Sequence, residues 1–190
     1  MHSLSPGSAN QGDEMVGAAA FLDRDGVITK SMVRDGRPYA PTRLEDMEIL
    51  AGAADAIEAL CGAGYRVIVV TNQPDVGAAR VERSVVEAMH EKLSATLPID
   101  EIKVCYHTEA DGCDCRKPRA GMLLSAARDW RIDLSRSVMV GDRWRDIDAG
   151  KSAGCRTIFI DRQYAESLRQ KPDFIVGSLA EAARIIVSPN

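Results

Sequence analysis

The chain alternates between two kinds of apolar pattern. Unbroken apolar runs fall at 18–22, 67–70, 138–140 and 158–160. Between them, apolar residues return every three or four positions, as in Ala53, Ala56, Ile57, Leu60 and Cys61, or Val81, Val85, Met89 and Leu93. The first kind suits strands buried on both faces of a parallel sheet; the second suits amphipathic helices. Strands are therefore predicted over 18–23, 66–71, 101–106, 137–141 and 155–160, with a short piece at 174–176. Helices are predicted over 52–63, 81–95, 121–130, 146–153 and 179–186. The stretch 29–45 reads as a polar loop, with turn signals at Asp35-Gly36, Pro38 and Pro41, and a short extended piece follows at 47–50. Strands alternating with helices define an α/β chain, read as a single Rossmann-like three-layer domain over 18–190 with a mainly parallel sheet. Residues 1–17, rich in Ser, Gly, Asn and Gln, read as a disordered tail.

In such sheets ligands bind beyond the carboxyl ends of the strands, and three strands end in chemistry. The first runs into Phe21-Leu22-Asp23-Arg24-Asp25-Gly26. Residues i and i+2 of an extended chain point the same way, so Asp23 and Asp25 project together and Gly26 permits a sharp exit. Two carboxylates so close repel, and Mg²⁺, which prefers carboxylate oxygens, relieves that. The second ends in Thr71-Asn72-Gln73, whose hydroxyl and turn amides can donate to a phosphate. The fourth ends in Gly141-Asp142, which adds a carboxylate to the metal site, with Asp146 one helical turn on to hydrogen-bond it from behind. A basic pair, Arg116-Lys117, offers a fork and a point charge for anions. Each stretch alone also reads as an ordinary polar turn or solvated helix end; their combination and order are what carry the reading.

Cys105-x-His107-x₅-Cys113-x-Cys115 supplies four soft or borderline ligands in a short span, the donor set of a closed tetrahedral zinc site. A closed site leaves no place for water, so the zinc is read as structural, clamping the loop that carries Arg116 and Lys117. Cys61 and Cys155 fall on apolar faces as packing residues, and His90 is placed on a solvent-facing side of its helix. A net charge of −4 gives no basic footprint for nucleic acid, and no apolar run is long enough to span a membrane. The crowded cysteines point to metal and a reducing compartment, so the expectation is a cytoplasmic monomer.

Asp23-Arg24-Asp25-Gly26, Thr71, Lys117 and Gly141-Asp142 with Asp146 resemble the four ordered motifs of the haloacid dehalogenase superfamily. With Cys-x-Cys-Arg-Lys-Pro, the chain is similar from about residue 18 to 161 to its small zinc-containing phosphatases, which act on heptose bisphosphate or histidinol phosphate. The resemblance implies that Asp23 is the nucleophile and Asp25 the general acid and base. It implies that Mg²⁺ binds the Asp23 and Asp142 carboxylates and the Asp25 carbonyl. Arg24, Thr71, Asn72, Gln73, Arg116, Lys117 and Arg143 fall on the phosphate and substrate side. The stretch between Asp23 and Thr71 leaves no room for a cap domain, so short loops must recognise a compact substrate. Arg119-Ala120-Gly121-Met122-Leu123 resembles the heptose enzymes, whereas the five-residue spacer after His107 resembles the histidinol-phosphate enzymes. A heptose 1,7-bisphosphate is the favoured substrate and histidinol phosphate the alternative. Two other readings are a zinc-stabilised binding module with a vestigial site and a nucleic-acid end-processing phosphatase; the intact set of acids disfavours the first, the acidic balance the second.

Overall fold

The computed structural model describes residues 17–188. Six strands form one sheet in the order β5-β4-β1-β6-β7-β8, with every neighbouring pair parallel. They are β1 (Ala19–Leu22), β4 (Arg66–Asn72), β5 (Glu101–Cys105), β6 (Val138–Gly141), β7 (Arg156–Ile160) and β8 (Phe174–Val176). Helices α1 (Ala53–Gly62), α3 (Arg83–Thr96), α4 (Gly121–Trp130), α5 (Trp144–Ala153) and α6 (Leu179–Val187) cross between them.

The continuous apolar runs find their reason in the two cores. Along β1, Ala20 and Leu22 face Ile57, Leu60, Met89, Leu93 and Ile186 of α1, α3 and α6, while Ala19 and Phe21 face Leu123, Ala126 and Ala149 of α4 and α5. A strand with helices on both sides must be apolar at every position, and all four residues of β1 are fully buried. Among the described residues no helix is long and apolar enough to cross a membrane.

Three local expectations change. The stretch 29–45 is not simply a loop: it carries a second sheet, the antiparallel hairpin of β2 (Met32–Arg34) and β3 (Arg37–Tyr39). Asp35 and Gly36, both with positive φ, form its two-residue turn, the geometry that matches hairpin twist. Its strands are short and mostly exposed, so they lack the burial pattern that marks the core strands. The turn after Gln73 winds into a short helix, α2 (Pro74–Gly77), with Pro74 in its first turn, so α3 begins at Arg83 rather than 81. His90 is buried, 9% exposed, on the inner side of α3. Of the predicted tail, residues 1–16 lie outside the described part, whereas Gly17 bridges to Ile132.

Candidate active site

Because β4, β1 and β6 are consecutive in the sheet, their carboxyl ends lie side by side. Asp23 follows β1, Thr71 and Asn72 close β4, and Asp142 follows β6. Lys117 arrives from the loop after β5 and is pinned by Asn72, whose amide donates to the Lys117 carbonyl (3.0 Å) and accepts from its N–H (3.1 Å). Asp23, Thr71, Asn72 and Lys117 line a cavity of about 270 Å³ with Asp25 and Asp146, walled by Tyr39 of the hairpin and by Arg80, and Asp142 lies buried next to Asp23 and Asp146.

Three carboxylates, Asp23, Asp142 and Asp146, and one ammonium converge as the floor of the site. Lys117 Nζ lies 2.9 Å from Asp23 Oδ1 and 2.6 Å from Asp146 Oδ1, and donates to the Val70 carbonyl at 2.7 Å. Burial works against its charge, but the two carboxylates prevail and hold Lys117 above its ordinary range. Burial, partly offset by Lys117, lifts Asp23 to about 6. Asp142 is lifted well above the usual carboxylate range, by burial first and then by the charges of Asp23 and Asp146. Neither of its buried carboxylate oxygens meets a donor in good hydrogen-bond geometry, and the Tyr164 hydroxyl beside it lowers it less than burial and the two carboxylates raise it. Such a group is costly unless something compensates it. Asp23, Asp142 and Asp146 each bring an oxygen within 4.8 Å of the others, a donor set that fits a hard divalent cation. The close quarters depend on two glycines. A Cβ on Gly26, whose φ is +87°, would collide with the Asp142 carboxylate, and one on Gly141 would collide with the Asp146 side chain.

Asp25 stands beside this floor in a cage of donors. Arg24 Nε reaches both of its oxygens at 3.1 Å and Nη2 reaches Oδ2 at 2.9 Å; Thr29 Oγ1 and Gln73 Nε2 add bonds of 3.1 and 2.9 Å. This corrects two expectations. Arg24 has no exposed surface and cannot meet a substrate; it holds Asp25. Gln73, buried, spends its amide on Asp25 and Thr71. For Arg24 the cause is the sharp exit at Gly26, where the Ile28 and Thr29 N–H groups fold back onto the Arg24 carbonyl; Gln73, just past β4, turns inward to meet Asp25 and Thr71. Asn72 likewise gives its amide to Lys117.

Arg143, expected at the substrate, lines the cavity but is gripped by Glu166 at 2.5 and 2.8 Å. Arg145, next to it, has only loose carboxylate neighbours, Glu166 at 3.8 Å and Glu109 at 3.9 Å. Burial, then the guanidinium groups of Arg143 and Arg116, pull it below its ordinary range. Arg145 and Lys117 also line a second cavity with Arg116, against the Cys/His loop. In that loop Cys105, His107, Cys113 and Cys115 converge: the sulfurs lie 3.4 and 3.6 Å apart, and His107 Nδ1 lies 3.3 Å from Cys115 Sγ. Tetrahedral bonds to zinc of about 2.3 Å separate sulfurs by roughly 3.7 Å, so the cluster could hold that ion.

Residues 114–182 match the HAD-hydrolase-like family model. The D-glycero-D-manno-heptose-1,7-bisphosphate 7-phosphatase of Thermosynechococcus vestitus is 35% identical over 88% of this chain and 94% of its own length. The corresponding β-heptose enzyme of Escherichia coli is 31% identical over 88% and 93%. The chain belongs to the heptose-1,7-bisphosphate 7-phosphatase family. It is thereby a phosphatase of the haloacid dehalogenase type. The crystal structure of the Bordetella bronchiseptica D,D-heptose 1,7-bisphosphate phosphatase, complexed with magnesium and phosphate, superposes with a TM-score of 0.78 at 28% identity, covering 90% of this chain and 98% of that one.

Several residues of the site escape a reading by motif. Thr29 and His90 support Asp25 and Arg24, Glu166 matches Arg143, and Tyr164 lies against Asp142 and Gly26. Asp35-Gly36 is the one signal that could have found the hairpin. Nothing local marks His90 or Glu166, which meet their partners 66 and 23 residues away in sequence.

Proposed function

We propose that this chain removes the 7-phosphate of D-glycero-D-manno-heptose 1,7-bisphosphate through an aspartyl-phosphate intermediate on Asp23. The observation that carries the reading is the electrostatic imbalance of the floor: three converging carboxylates, one lysine, and two orphaned oxygens on Asp142. That arrangement is short of positive charge until a divalent cation enters, and with the cation in place it can receive an anionic phosphoryl group. Mg²⁺ fits there: Asp23, Asp142 and the Asp25 carbonyl would hold it, and it would supply charge that offsets the transferring phosphoryl group.

The side chains then divide the work. Asp23 attacks phosphorus from the strand end, in line with the leaving oxygen. Asp25 gives its proton to that oxygen and later takes one from the hydrolytic water. Lys117, whose three N–H groups are engaged by Val70, Asp23 and Asp146, shares its charge with the phosphoryl oxygens as Asp23 turns to its new bond. Thr71 donates its hydroxyl to the same oxygens. Asp146 acts from behind by fixing Lys117 and accepting the Arg143 N–H at 3.0 Å. Cys105, His107, Cys113 and Cys115 would hold one structural zinc, which would set the loop carrying Arg116. For the second phosphate, Arg116 has no carboxylate partner among the described residues and Arg145 only loose ones at 3.8 and 3.9 Å, whereas Arg143 is closely matched by Glu166.

Phosphate release decides the matter. With Mg²⁺ present, the bisphosphate should be turned over with a higher kcat/KM than histidinol phosphate, and Asp23→Asn should abolish turnover while the protein stays folded. A higher kcat/KM on histidinol phosphate would transfer the function to that substrate; a normal steady-state rate in Asp23→Asn would remove the covalent mechanism.

A further inference from the structure

Arg24, a charged residue, heads the fully buried side chains by size among the described residues. Its Nε and Nη2 are committed to Asp25. The remaining nitrogen, Nη1, lies 2.9 Å from Nε2 of His90, which reaches in from α3. A guanidinium has donors only and stays protonated. His90 Nε2 must therefore be the acceptor, which leaves the imidazole neutral with its proton on Nδ1. Without that acceptor, a buried charged N–H would be unsatisfied, and the guanidinium plane would lose one of the contacts that set its angle about the Cδ–Nε bond. His90 thus adds an anchor at Nη1 to the guanidinium plane whose Nε and Nη2 meet Asp25.

We infer that His90 is a positioning residue for proton transfer at Asp25, acting through Arg24. The inference rests on the reading of Asp25 as the general acid. In that step the proton leaves an Asp25 carboxyl oxygen for the sugar oxygen as its bond to phosphorus breaks. The carboxylate left behind is the form that the Arg24 fork, Thr29 and Gln73 are arranged to receive. A fork held in register stabilises that carboxylate as its charge develops; a fork that swivels does so only part of the time.

A leaving group that needs no proton separates this role from general support of the fold. kcat/KM, which reports the steps through departure of the leaving group, is measured with Mg²⁺ for the heptose bisphosphate and for p-nitrophenyl phosphate. Wild type, His90→Asn, His90→Gln and Asp25→Asn are compared. The asparagine amide is too short to reach Nη1, so His90→Asn should lose about tenfold or more on the sugar, a part of what a general acid contributes, and little on the aryl ester. The glutamine carbonyl can stand where Nε2 stands, so His90→Gln should recover most of the loss. Equal losses on both substrates, no loss, or no recovery by glutamine would overturn the inference. In wild type, the imidazole ¹⁵N shifts should show Nδ1 protonated and Nε2 bare; the opposite tautomer overturns it without any variant. Failure of the parent reading shows separately, as an Asp25→Asn enzyme with no greater loss on the sugar than on the aryl ester.

Discussion

Asp142 shows most directly how this site is built at the expense of stability. Its two oxygens are buried, unpartnered and pressed against Asp23 and Asp146. Removing that charge should help the metal-free fold even as it destroys function, the usual trade at a strained functional site. Asp142→Asn is expected to raise the melting temperature in EDTA, since an unsatisfied buried charged group costs about 1–3 kcal/mol or more. For a domain of this size each kcal/mol is about 2–4 °C. The same variant should lose the rise in melting temperature that Mg²⁺ gives the wild type. Thermal scans of both proteins, with EDTA and with Mg²⁺, check both halves. A lower melting temperature in EDTA would mean that Asp142 is not in conflict with its neighbours.

At the scale of elements, the loop between β5 and α4 couples the Cys/His cluster to the cavity. Cys115, Arg116 and Lys117 are consecutive, and Asn72 ties the Lys117 backbone to the end of β4. Cys113→Ser should therefore bring zinc below one per chain by elemental analysis. It should also loosen the loop in hydrogen exchange while leaving β1, β4 and β6 protected. Arg116 sits in the loop held by the His107 carbonyl and by no carboxylate among the described residues, so preference for the bisphosphate over a heptose 7-monophosphate should fall further than turnover of a small aryl phosphate. A charge-assisted contact worth about 1.5–3 kcal/mol sets the scale, roughly ten- to a hundredfold in kcat/KM. Full zinc in the variant would remove Cys113 from the ligand set. This coupling was legible in the sequence because both halves lie within a few residues of each other. The core strands were legible too, since burial on both faces forces an unbroken apolar run. The β2–β3 hairpin carries no such mark, because its strands face solvent. Arg24 was placed with the substrate for a related reason: a motif fixes which residues sit at a strand end, but only the fold-back at Gly26 decides which of them point into the protein. His90 and Glu166 are illegible on the same grounds, as partners recruited from distant segments.

Across the whole molecule, two buried groups pull the pH dependence of stability in opposite directions. His90 is lowered from 6.5 to about 4, by burial and by the charge of Arg24. A lowered folded value means that the unfolded chain binds the extra proton, so this contribution is complete above pH 6.5 and is lost as pH falls toward 4. Asp23 is raised from 3.8 to about 6, chiefly by burial. Here the folded chain binds the extra proton, so stability is lost as pH rises from about 4 to 6. Each shift is on the order of 3 kcal/mol and the windows overlap, and Asp142, also raised by burial, pulls the same way as Asp23, so in EDTA the His90 contribution should be largely offset between pH 4 and 6. A bound cation changes only one side of that balance: it favours the Asp23 carboxylate and competes with its proton. The magnesium-loaded protein should then show the His90 contribution uncovered, with melting temperature falling as pH drops from 6.5, while the metal-free protein changes much less. The rise in melting temperature given by Mg²⁺ should accordingly shrink steadily toward pH 4. His90→Gln, which carries no titratable group, should be less stable in EDTA at pH 6 than at pH 4, the reverse of ordinary acid unfolding. Melting curves over that range, with and without the metal, test the balance; a metal-free wild type that loses stability as steeply as the loaded one would show that Asp23 does not oppose His90.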